Sequence, residues 1–135
     1  MRPHLSNLEN NMAALVYCTV GSNRLTEAKH FYDVLFELAE IPVLFEHPSG
    51  GRVYGKNGTP NFAVLGPFDG KPATVGNGTM FAFSFDKRAE VDAFYAKALA
   101  LGGTDAGPPG VRGPDWYFCY FRDLDGNKLC AFSTG

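Results

Sequence analysis

The sequence predicts an α+β fold made of two halves that repeat one order of elements, β-α-β-β-β. Three observations predict it. The stretch Thr26-Glu27-Ala28-Lys29-His30-Phe31-Tyr32 is echoed sixty-three positions later by Ala89-Glu90-Val91-Asp92-Ala93-Phe94-Tyr95. Each stretch follows a short apolar run, Leu15 to Val20 or Met80 to Phe85. Each is followed by short runs of strand-forming residues separated by turn residues, the pattern of a supersecondary unit used twice. A chain of 135 residues accommodates both units in one domain.

The elements follow in order. Leu15 to Val20 reads as a strand, and Asn23 as the cap of the helix after it. Leu25, Ala28, Phe31, Tyr32, Leu35 and Leu38 fall on one helical stripe. Strands are expected at Val43 to Glu46, Arg52 to Lys56 and Asn61 to Leu65, with turns at Pro48-Ser49-Gly50-Gly51 and Asn57-Gly58. Gly66 to Gly78 reads as a linker. The second half opens with Met80 to Phe85 and a cap at Asp86. Its helix carries Val91, Phe94, Tyr95, Ala98 and Leu101 on one side and stops at Gly102-Gly103. A Gly/Pro-rich segment, Gly102 to Asp115, precedes strands at Trp116 to Arg122 and Lys128 to Phe132, joined by a turn at Asp125-Gly126-Asn127. The polar stretch 1–11 is expected to be a flexible extension, with Met12 as the natural start. Residues 12–135 then form the domain, with modules at about 13–66 and 79–133.

Composition narrows the function. Net charge is −2 with acids and bases mixed, so no basic stripe exists to meet a phosphate backbone, and nucleic acid is not expected as a partner. No apolar run approaches a membrane span. The N-terminal stretch has no apolar centre of a signal peptide. Cys18, Cys119 and Cys130 are odd in number and lack Cys-x-x-Cys spacing, which suits reduced thiols and a cytoplasmic location.

Strand alternation predicts which side chains share a face. If Asp123 to Asn127 is a hairpin loop, Arg122 opposes Lys128, Tyr120 opposes Cys130, and Phe118 opposes Phe132. The same logic in the first half pairs Lys56 with Asn61, Tyr54 with Ala63 and Arg52 with Leu65, making Tyr54 and Tyr120 repeat-equivalent. One face then carries Val20, Val53, Phe62, Val64, Phe81, Phe83, Cys119 and Phe121, suited to burial under the helices. The other carries Tyr17, Arg52, Tyr54, Ala63, Met80, Trp116, Phe118, Tyr120 and Cys130, an aromatic surface suited either to a pocket for an organic ligand or to ordinary core packing. Two tyrosines and an arginine are costly to bury unpaired, which favours the pocket.

The repeated β-α-β-β-β order, the Phe-Tyr pair in each helix and the run Asp123-Leu124-Asp125-Gly126-Asn127-Lys128 resemble the vicinal oxygen chelate superfamily. That group includes glyoxalase, extradiol dioxygenases and bleomycin resistance protein. The resemblance covers roughly residues 13 to 133. It implies a curved mixed sheet around a cleft, with the helices outside. It also implies metal ligands, chiefly His and Glu, on the first and last strand of each module. Those positions here are Tyr17, Ala63, Met80 and Cys130, which fall short of the three or so ligands a catalytic metal needs. His4, His30 and His47 have no spacing that repairs the set. No metal and no cofactor are therefore expected.

Cys130 is a candidate nucleophile, although a small buried hydrophobe is the better reading. Arg112 lies in the Gly/Pro-rich segment, placed either to fork onto a ligand's anionic group or to pair with Asp115 at the surface. The expectation is a metal-free protein that binds a small aromatic or amphipathic molecule. Tyr54, Trp116 and Tyr120 would stack on it, and Arg112 or Arg52 would orient it. The alternatives are a lyase or dioxygenase of the same superfamily, metal-dependent or using Tyr17 or Tyr120 as acid or base, and an interaction module without a small ligand. Related folds build the cleft within one chain or between two, so a homodimer is also open.

Overall fold

A computed structural model describes residues 13–135. The expected N-terminal extension and His4 lie outside the described residues. Ten elements follow in chain order: β1 (Cys18–Gly21), α1 (Leu25–Leu35), β2 (Val43–Glu46), β3 (Arg52–Lys56), β4 (Thr59–Leu65), β5 (Phe81–Ser84), α2 (Arg88–Ala100), β6 (Thr104–Arg112), β7 (Trp116–Arg122) and β8 (Lys128–Ser133). They form two four-stranded sheets, ordered β1-β4-β3-β2 and β5-β8-β7-β6. In each sheet the first strand runs parallel to the last, and the remaining pairings are antiparallel. The two halves thus share one topology, as the repeat predicts. The Gly/Pro-rich segment is itself an edge strand, β6, whose register slips around Gly107. Its two prolines sit at that edge, where the missing N–H groups are tolerated.

One hydrophobic core binds the halves together. Phe31, Tyr32, Leu35 and Phe36, from α1 and the turn after it, meet Phe62 and Val64 of β4. Val91, Phe94 and Ala98 of α2 meet Phe121, Leu129 and Ala131. Aromatic rings bridge the modules: Phe36 and Phe83 have centroids 5.4 Å apart, and Phe62 and Phe83 6.0 Å.

The motif Asp123 to Asn127 lies at the same junction. Asp123 Oδ1 accepts backbone N–H groups of Asp125 and Asn127, which shapes the turn. Asp123 Oδ2 accepts the Tyr32 hydroxyl from α1 at 2.5 Å and the Asn127 side-chain amide at 2.9 Å. That amide also donates to Gly21 O of β1 at 3.0 Å, and Asp125 Oδ1 accepts the Asn23 N–H. Burial and the neighbouring Asp123 carboxylate push the Tyr32 hydroxyl pKa well up, so it remains a donor. Asn23 does not cap α1. Its side chain instead pairs in both directions with the backbone of Ala73, fixing the linker to the end of β1.

The first module departs from the expected register. Asn57 and Gly58 both take positive φ, 54° and 76°, as a two-residue hairpin turn requires, so Lys56 opposes Thr59 rather than Asn61. An extra residue, Asn61, then bulges out of β4 between Pro60 and Phe62. Its side-chain oxygen accepts the Lys56 N–H at 2.9 Å. Gly55 permits the close approach, because a Cβ there would lie 1.9 Å from Thr59 O. Beyond the bulge Tyr54 opposes Phe62, Val53 opposes Ala63 and Arg52 opposes Val64. A one-residue slip exchanges faces. Tyr54 and Arg52 therefore turn toward α1, and Val53 turns away from it, the reverse of the sequence expectation.

Candidate functional site

The face turned away from the helices is open, and its character differs between the modules. On the first module it presents Thr19 beside Ala63, with Val53 and Phe45 next to them. Tyr17, just before β1, is 45% exposed. Ala63 is buried, and the surface is small and apolar.

On the second module the expected pairing holds. Arg122 opposes Lys128, Tyr120 opposes Cys130, and Phe118 opposes Phe132. Period-two alternation along β7 and β8 therefore lays four rings side by side. Trp116 and Phe118 have centroids 6.0 Å apart. Phe118 stacks on Phe132 at 5.1 Å and on Tyr120 at 6.1 Å, with interplanar angles of 14° and 23°. The result is a terrace of three near-parallel rings with an outer member, Trp116, tilted by 31° and 50% exposed. Met80 leads into β5 at the rim, also exposed.

Cations frame the terrace. The Arg112 guanidinium lies 5.3 Å from the centre of the Tyr120 ring, and the Lys128 ammonium 5.1 Å from it. Arg112 has little to offer a ligand, because its nitrogens donate to the carbonyls of Pro108, Gly110 and Phe118. It braces the β6–β7 hairpin and neither forks outward nor pairs with Asp115. Arg122 commits one nitrogen to Gly126 O at 2.8 Å. Beyond Lys128, a hollow of about 440 Å3 is lined by Val75 to Met80 together with Arg122 and Lys128.

Two expected site residues belong elsewhere. The Tyr54 hydroxyl donates to Asp33 Oδ1 at 2.7 Å and reaches Lys29 O at 3.3 Å, both on α1. Burial and the Asp33 carboxylate push its pKa up. Arg52 bonds to Asp33 and, through Nε at 2.5 Å, to Glu46. Neither side chain can stack on or orient a ligand at the open face. Sequence reasoning put Phe118 on the open face without naming it as a ligand contact, and it passed over Phe132, Arg122 and Lys128. Phe118, Arg122 and Lys128 were legible in the β7–β8 pairing, once charge and ring positions were read together.

The donor set does not fit a divalent ion. Ala63 and Met80 offer no oxygen or nitrogen side-chain ligand. Burial pushes the Cys130 thiol up to about 12, despite the opposing pull of Arg112 and Lys128, so it stays protonated near neutral pH. The same holds the thiol back as a nucleophile. Among the described residues no group of three or more His, Cys, Asp or Glu side chains comes together. His30 is exposed on α1. His47 bonds Ser49 through Nδ1 and lines a separate hollow of about 880 Å3 that none of the terrace rings lines. No helix among the described residues is long and apolar enough to cross a membrane.

Two matched α+β modules with a shared core and an open, ring-lined sheet face define a class of small two-module proteins. The chain belongs to the Glyoxalase/Bleomycin resistance protein/Dioxygenase superfamily, whose family model matches residues 14–131. It is similar to a glyoxalase/bleomycin resistance protein from Albidiferax ferrireducens, with 38% identity and a TM-score of 0.78, covering 85% of this chain and 93% of that one. Two further structures share the fold. Lactoylglutathione lyase from Agrobacterium tumefaciens is 20% identical with a TM-score of 0.67, covering 90% of this chain and 94% of that one. The fosfomycin resistance protein FosX from Listeria monocytogenes is 18% identical with a TM-score of 0.68, covering 90% and 93%. None of the curated proteins compared matches it.

Proposed function

We propose that this protein binds a small aromatic or amphipathic molecule on the second module's terrace without a metal ion and without a covalent step. The observation that carries this reading is the stack of Trp116, Phe118, Phe132 and Tyr120 beside metal-ligand positions filled by tyrosine, alanine, methionine and a buried cysteine. Near-parallel rings give a flat guest a large contact at low entropic cost, and each aromatic pair contributes about 0.5–1.5 kcal/mol beyond burial.

A homodimer fits the open face of the two sheets, because Phe45, Trp116 and Tyr17 leave apolar area uncovered in the single chain. Three free cysteines support a cytosolic setting. Nucleic acid is not part of this reading.

The test is a thermal-shift screen of tag-free protein against aromatic metabolites, antibiotics and divalent ions, with elemental analysis of the same sample. Stabilisation by aromatic compounds alone is expected, since a guest that binds only the folded state raises its melting point. Near-stoichiometric Zn, Ni, Mn or Fe, or stabilisation by metals alone, overturns the reading in favour of a lyase or dioxygenase.

A further inference from the structure

Charge is balanced by ion pairs in the first module but not beside the terrace, and this names the guest more closely. The ion pairs among the described residues, Lys29–Glu46, Arg52–Asp33 and Arg52–Glu46, all lie in the first module. Arg122 and Lys128 face each other across β7 and β8 with no carboxylate on either. The acids nearest in sequence form no ion pair with them: Asp123 holds Tyr32 and Asn127, and Asp125 holds the Asn23 N–H through Oδ1. Two unpaired cations on one partly buried face attract an anion.

The hollow beside them has room for one. Its volume is about 440 Å3, and the loop from Val75 to Thr79 forms its other wall. That loop is tightly closed, with Thr79 N donating to Gly76 O at 3.2 Å and Asn77 at its bend. Lys128 joins the hollow to the terrace, because it lines the one and lies over the Tyr120 ring of the other. The bond from Arg122 to Gly126 O fixes the guanidinium at one nitrogen and leaves the rest free to fork.

The geometry points to a guest with a flat aromatic body carrying an anionic oxygen group, carboxylate or phosphoryl. The body packs against Phe118 and Tyr120, and the anion lies between Arg122 and Lys128 under the loop 75–79. This rests on the terrace reading above and adds the anion to it.

The experiment is calorimetric titration of the full chain with 2-naphthoate, 2-naphthyl phosphate, 2-naphthamide and cyclohexanecarboxylate. One or both naphthyl anions are expected to bind at least about tenfold tighter than the amide, which corresponds to about 1.4 kcal/mol. The two anions separate carboxylate from phosphoryl. Raising salt is expected to erase the advantage over the amide, and so is Lys128→Met. The salt series decides the matter should that variant prove unstable. Equal affinity for the amide and both naphthyl anions overturns the anion site while leaving the terrace standing. Cyclohexanecarboxylate binding as tightly as naphthoate overturns the aromatic requirement. No binding by any naphthyl compound sinks the terrace reading and this inference together.

Discussion

The hairpins β3–β4 and β7–β8 occupy equivalent places in the two modules, yet they deliver their polar and aromatic side chains to opposite sides of the sheet. In β7–β8 the register runs without interruption, and Tyr120, Arg122 and Lys128 reach the open face. In β3–β4 a single bulged residue sets the register, and Tyr54 and Arg52 reach α1. Matched by their sheet partners, Tyr54 corresponds to Phe121 and Tyr120 to Val53, so the two tyrosines are not repeat-equivalent. Duplication kept the backbone and left each module free to choose what its sheet shows to solvent. The first module uses its polar groups to fasten a helix, and the second uses them to furnish a surface.

Paired truncations give the sharpest contrast. Tyr54→Ala removes a fully buried ring and its bond to Asp33, and is expected to cost about 4 kcal/mol in chemical denaturation. Tyr120→Ala, at a half-buried position, is expected to cost about 1 kcal/mol and to weaken binding of aromatic probes instead. Equal stability losses, or loss of probe binding in Tyr54→Ala at temperatures where it stays folded, would break the contrast.

Asp123→Ala is expected to come next, at about 3 kcal/mol. It leaves the Tyr32 hydroxyl and the Asn127 amide short of a buried acceptor. Tyr32→Phe should recover part of that loss when added to Asp123→Ala, a non-additivity measurable in a double-mutant cycle. Asn61→Ala is a smaller change, about 1 kcal/mol, because it deletes one side-chain bond to Lys56 N–H while the Asn57-Gly58 turn persists. Urea midpoints would show it.

The smallest effect is on pH. Burial raises the Cys119 thiol to about 11 and the Cys130 thiol to about 12. The unfolded chain releases these protons near the ordinary thiol value of about 8.5, while the folded chain keeps them. Their contribution is therefore complete below about pH 8.5 and is lost as pH rises toward 11 and 12. By about pH 9 the loss is expected to be under about 1 kcal/mol per thiol. A Cys119→Ala/Cys130→Ala variant whose denaturation midpoint falls just as steeply between neutral pH and pH 9 would remove these thiols as the cause.

Much of this was written in the chain. The repeat of Phe-Tyr helices, the turn residues and the loop from Asp123 to Asn127 were enough to set the topology and the second module's face. The first module misled because Asn57-Gly58 was allotted a longer loop and Asn61 was counted as a regular strand residue. Alternation carries no memory of a bulge, so one uncounted residue exchanged Tyr54 and Arg52 with Val53. Arg112 was ambiguous for another reason: a guanidinium's donors are allotted by whichever carbonyls fold against it, here those of Pro108, Gly110 and Phe118. The junction role of Asp123 depended on Tyr32, ninety-one positions away, and no local pattern links the two.

The loop that clasps Tyr32 is bounded on either side by Arg122 and Lys128. If the proposed anion site holds, loosening that clasp is expected to shift the two cations, which would tie recognition in one half of the molecule to a hydroxyl in the other. A phenylalanine at position 32, remote from any guest, would be felt as poorer discrimination between charged and neutral probes. The price of a strong seam, in this architecture, is that the proposed ligand surface would inherit its tolerance.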